Sequence, residues 1–126
     1  MILFVRLKKI KMADYLFLFR GGNVAEVRQS PEKWQAQMEK WMQWMGALTE
    51  QGKFGGAQPL KPEGKTIKGT AKTVTDGPFM EDKEMVGGYL ICKGVNYEEA
   101  VEISKGCPIL AYDNGIVEIR EIEEIQ

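Results

Sequence analysis

Tyr15-Leu16-Phe17-Leu18-Phe19 is an unbroken apolar run, and Ser30-Pro31-Glu32 opens a helical pattern a short distance beyond it. A run with no polar alternation suits a strand buried on both faces, in the middle of a sheet. Gly21-Gly22-Asn23 breaks that run and predicts a plain turn, followed by a polar loop as far as Ser30. Ser30 is a good N-cap, Pro31 suits the first helical position, and Glu32 complements the helix dipole. Trp34, Met38, Trp41, Met45 and Leu48 then recur at alternating spacings of four and three, which places them on one helical stripe. Gly52 is a natural residue to close this helix.

Residues 53–75 are rich in Gly, Lys and Thr. Ala57–Leu60, Thr66–Gly69 and Lys72–Thr75 read as short strands or hairpin pieces, with Pro62-Glu63-Gly64 as a turn. Gly87–Lys93 (GGYLICK) is a second strongly apolar strand. Asn96 caps a helix over Tyr97–Lys105 whose apolar face is Ala100, Val101 and Ile103. Gly106 ends that helix and Pro108 prevents its resumption. Gly115–Ile122 alternates apolar and polar residues, the pattern of a half-buried strand. Two β-α-β halves in this order describe an α+β, ferredoxin-like two-layer sandwich, an antiparallel sheet with two helices on one face. The other sheet face needs a cover, and a second subunit is the simplest one.

The chain of 126 residues carries 17 Lys+Arg, 18 Asp+Glu, two Cys and no His. That length suits one domain. The missing imidazole excludes a histidine base, a His-ligated metal and a Ser-His-Asp relay. Charge is unevenly distributed: residues 1–72 hold 13 Lys/Arg and 6 Asp/Glu, and residues 73–126 hold 4 and 12. With no block of five like charges, the two halves are expected to intertwine in one fold or to pair across a dimer. Met1–Lys11 is too short for a membrane span and has the wrong order for a signal peptide. Residues 1–12 therefore read as an extension upstream of a true start at Met12, and residues 13–126 as the domain. With no targeting signal, a reducing cytoplasm is the expected location, with no membrane partner. Cys92 reads as an inert packed thiol, and Cys107 lies at the wrong end of a helix dipole for a reactive one. No metal or cofactor is expected. The strands lack the aromatic pattern of RNA-binding sheets and the C-terminal half is acidic, so no nucleic-acid partner is expected either.

The most distinctive segment is Thr75-Asp76-Gly77-Pro78-Phe79-Met80-Glu81-Asp82-Lys83-Glu84, followed by Gly87-Gly88-Tyr89. Asp76 can fold its carboxylate onto backbone N–H groups as an Asx-turn. Pro78 fixes the chain direction, and Phe79 can plug an adjacent apolar pocket. Gly87-Gly88 opens a strand where another backbone or a bulky group comes close. This segment resembles the YCII-related superfamily in its DGPF branch, named for the tetrapeptide standing here as Asp76–Phe79. The likeness continues through Glu98-Glu99-Ala100, Cys107-Pro108 and Val117-Glu118-Ile119-Arg120. The resemblance implies a homodimer of ferredoxin-like subunits, a dimeric α/β-barrel-like assembly, with a cleft near the interface. It also implies that some relatives use a His–Asp pair, one sort acting as a dehydrochlorinase on hydroxylated chloroaromatics. DGPF-type proteins are associated with extracytoplasmic-function sigma factors. A chain without histidine cannot carry the His–Asp pair.

Two functional readings follow. In the first, an unknown small molecule, with aromatic ones among the candidates, binds in a cleft near the DGPF turn. Asp76 is then a general base or ligand anchor, and Arg20, Trp44, Phe79, Glu81 and Tyr89 are the other binding residues. A carboxylate base would need burial or a neighbouring carboxylate to work near neutrality. Trp34, Trp41 and Met45 are expected in the core. Trp44 and Met42 lie about 80° to either side of the stripe's centre, and Trp44 is the expected cleft wall. In the second reading the chain is a non-catalytic interaction module linked to sigma-factor or transcription regulation, and the DGPF turn is architectural.

Overall fold

Why β1 (Ala13–Arg20) lies inside the sheet is visible in its two neighbours. It pairs antiparallel with β5 (Val86–Val95) on one side and with β6 (Ile116–Glu121) on the other. β2 (Phe54–Pro59) pairs with the free side of β5, giving the order β2-β5-β1-β6 in a four-stranded antiparallel sheet. The computed structural model describes residues 11–77 and 84–125.

Strand alternation divides the sheet into two faces. Tyr15, Phe17 and Phe19 are buried, as are Leu90 and Cys92 across from them. They pack with Leu48, Ala100, Cys107 and Ile109 in one core beneath the helices. Leu16, Leu18 and Ile91 point the other way and are only half-buried. Among the described residues, the second face therefore has no layer over it.

The long helix α2 (Pro31–Glu50) begins as its sequence predicts: Ser30 Oγ accepts a hydrogen bond from Lys33 N at 3.3 Å. It ends at Gly52, whose φ of +72° lets Gly52 N reach Thr49 O and Lys53 N reach Leu48 O. In α3 (Tyr97–Ser104) the Asn96 cap is also present, its Oδ1 accepting from Glu99 N at 2.8 Å. A salt bridge of 2.9 Å from Lys53 to Glu99 joins the start of β2 to this helix. A 3₁₀ turn at Pro108–Ala111 follows.

The polar stretch before Ser30 corrects the sequence reading. Val24–Gln29 is a helix, α1, entered through Asn23 at φ 52° with no side-chain cap. A six-residue helix with one buried residue, Val27, is too short to show a periodicity. Among the described residues, three helices therefore accompany the sheet. Between β2 and β5 the expected hairpin pieces are present as β3 (Lys65–Lys68) and β4 (Thr73–Asp76), a separate two-stranded hairpin exposed throughout. The architecture is α+β, with the strand order of a ferredoxin-like sandwich plus this inserted hairpin.

Candidate functional site

Gly21 and Gly22 turn the chain out of β1 at φ +72° and +80°. A Cβ on Gly21 would lie 2.0 Å from Asn114 O, and one on Gly22 would lie 2.7 Å from Ile109 Cγ1. Side chains are excluded here, so the turn packs flush against the 109–114 segment. Gly22 N donates to Asn114 Oδ1 at 3.2 Å, and Asn114 Nδ2 donates to Asn23 Oδ1 at 3.1 Å. This pinned turn carries α1 over one end of the sheet.

Between α1, α2 and the β2–β5 end of the sheet lies a cavity of about 150 Å³. Its walls are Phe19, Val24 and Val27, the Trp34-Met38-Trp41-Met45 stripe of α2, Ala57 and Pro59 of β2, and Gly87-Gly88 of β5. Ile109 borders it where the Gly21-Gly22 turn passes. The Phe19 and Trp41 rings meet edge to face at 4.9 Å. At its margin, Arg28 Nη2 donates to Leu60 O at 3.2 Å, and the guanidinium carbon stands 5.2 Å from the Trp34 ring centroid. Gln37 and Gln58 also border the cavity. Arg28 is its one charged lining residue among those described.

The residues expected at the site are placed as follows. Trp44 is in the core layer, not on the cavity wall: it stacks on Phe17 at 6.3 Å, and its Nε1 donates to Ile103 O at 3.2 Å. Trp41 and Met45, expected in the core, pack against it and also face the cavity, whereas Trp34, expected there too, lines the cavity. Met42 is 68% exposed. Tyr89 borders the cavity, while the alternation of β5 turns its side chain to the opposite face from Leu90. Arg20 lies on that second face, ion-paired with Glu118, and its Nε is buried without a partner among the described residues.

Asp76 ends the β3–β4 hairpin, pairing with Lys65 in register, and its carboxylate accepts from Lys65 Nζ at 2.6 Å. Its side chain is 76% exposed. It borders a separate open depression with Lys61, Glu63 and Gly77, not the apolar cavity. Phe79 and Glu81 lie outside the described residues. The cavity thus sits just after the DGPF segment in sequence, at Gly87-Gly88, without Asp76 in its wall. Arg28 and Gln37 were missed by sequence reasoning because α1 was not recognised, and because polar residues beside an apolar stripe read as a solvated face.

Burial pushes the Cys92 thiol up to about 11 and the Cys107 thiol up to about 12, with Glu99 adding to the effect at Cys92. Both cysteines are buried and free, and neither lines the cavity. Among the described residues no group of three His, Cys, Asp or Glu is placed to hold a metal ion. No described helix is long and apolar enough to cross a membrane.

A four-stranded antiparallel sheet, helices over one face and an apolar pocket at one end of that layer define a small α+β sandwich with room for a ligand. Residues 3–126 match the YCII-related domain, and the chain belongs to that family. No match was found among curated proteins.

Proposed function

We propose that this YCII-related chain binds one small, flat, apolar molecule in the cavity between α2 and the β2–β5 end of the sheet. The observation that carries this reading is the cavity itself, about 150 Å³ and walled by Phe19, Trp34 and Trp41. An apolar cavity of roughly this size holds one benzene-sized molecule. Ligand sites are typically such concave apolar spaces bordered by a few polar groups. Binding, rather than a reaction, is assigned, because the exposed Asp76 lies outside the cavity wall.

The same reading takes the protein as a homodimer in which a second copy covers Leu16, Leu18 and Ile91. Sedimentation of the purified chain reads that state directly. For the site, intrinsic tryptophan fluorescence titrated with phenol is the assay, since Trp34 and Trp41 face the cavity. Met45→Trp fills the space and should weaken phenol binding at least about tenfold. Unchanged phenol affinity in a folded Met45→Trp variant would overturn the assignment.

A further inference from the structure

Three features of the cavity bear on what it selects. Its interior is aromatic and aliphatic, so the buried part of a ligand must be apolar and no larger than one ring. Among the described residues, the Arg28 guanidinium is its one charged lining group and no carboxylate lines it. Arg28 belongs to α1, is exposed, and spans from the Trp34 ring to Leu60 O at the end of β2. That position is the margin, where a charged group remains in contact with water.

Arg28 is also not neutralised by a neighbouring acid among the described residues. Its described partners are a backbone carbonyl and an aromatic ring. Glu26, the acidic residue of the same helix, lies 3.9 Å from Lys33 instead. A guanidinium has five N–H donors in a planar fork suited to a carboxylate, and a single bond to Leu60 O leaves donors free for a ligand.

We propose that the cavity selects a monocyclic ligand bearing an anionic substituent, such as a carboxylate, with the ring inserted against Phe19 and Trp41 and the anion held at Arg28. This inference rests on reading the cavity as a ligand site. The arrangement avoids burying charge: the ring enters the apolar interior while the anion stays at the solvent-exposed margin opposite a cation. A cationic ligand of the same shape meets Arg28 as a like charge.

The test is a fluorescence titration of the full chain with benzoate, benzyl alcohol and benzylamine, ligands of similar size and different charge. Benzoate should bind about 5- to 10-fold tighter than benzylamine at low salt, the modest ratio expected of a partly solvated pair. In Arg28→Gln the ratio should fall to near one, and in Arg28→Lys it should be retained in part. The ratio is the readout because a loosened Trp34 wall weakens both ligands together. Benzyl alcohol binding with no benzoate preference, or a preference that survives Arg28→Gln, would overturn this inference alone. Absence of binding by all three ligands would refute the ligand-site reading and this inference with it.

Discussion

Gly87 and Gly88 are adjacent in β5, yet the structure gives them different roles, and alanine at each position separates these. Neither has a positive φ, so the backbone accepts alanine at both. Among the described residues, a Cβ on Gly87 would meet only Phe19 O, at 4.0 Å. A Cβ on Gly88 would lie 3.0 Å from Gln58 O, 3.4 Å from Pro59 Cα and 3.7 Å from Phe19 Cδ2. Replacing glycine where space permits stabilises by about 0.4–1 kcal/mol, through the lost freedom of the unfolded chain. Overpacking costs about 1–3 kcal/mol. Gly87→Ala should therefore gain about 0.5 kcal/mol, and Gly88→Ala should lose about 1 kcal/mol net. At roughly 3–6 °C per kcal/mol for a chain of this size, Tm should rise by about 2 °C in the first and fall by about 3–6 °C in the second. Gln58, Pro59 and Phe19 all border the cavity, so Gly88→Ala should also weaken phenol binding. β2 is an edge strand, paired only with β5 in the main sheet. If β2 yields freely the clash relaxes, and equal Tm values for the two variants would show that Gly88 is not needed for close packing.

Trp44→Phe leaves Ile103 O without its indole donor and removes ring volume from the core layer. It should destabilise by about 1–2 kcal/mol in urea denaturation, more than Trp34→Phe, which alters the cavity wall rather than the core layer. The raised Cys92 and Cys107 thiols predict alkaline lability. Their folded values, about 11 and about 12, lie above the ordinary 9.0, so the folded state holds both protons longer than the unfolded chain. Their contribution is fully present below about pH 9 and is lost as pH rises through the folded values, by at most about 1.4 kcal/mol per pH unit per thiol. Tyr15 is raised in the same direction, by burial first and then by Glu121. Urea midpoints between pH 8 and 10.5 should therefore fall less steeply for a Cys92→Ala, Cys107→Ala double variant. An unchanged slope would show that the thiols are not the cause.

Elements with several coincident local signals were legible in the sequence. Ser30-Pro31-Glu32 with a long apolar stripe, and Asn96 ahead of Ala100, Val101 and Ile103, each combine a cap with periodicity, and both helices start at those caps. The run Tyr15–Phe19 and the alternation of Gly115–Ile122 likewise became neighbouring strands. α1 escaped notice because six residues with one buried valine carry no period. The β3–β4 hairpin was legible as strands but not as a separate sheet, since local pattern does not specify a pairing partner.

The candidate site was less legible because it depends on which side of a stripe meets a gap. Trp34, Trp41 and Trp44 share one helix, and their spacing cannot tell a packed ring from a cavity wall. That choice is made by Phe17, which stacks on Trp44, and by Ile103 O, which takes its N–H. Arg28 gains its significance only when α1 folds over Trp34 and Leu60. The α+β element order, the two capped helices and the lack of an imidazole follow from residues close in the chain or from composition alone. Which aromatic rings surround a void, and that Asp76 stands apart from it, are set by the packed fold. Both depend on contacts between segments far apart in the chain, which no local pattern encodes.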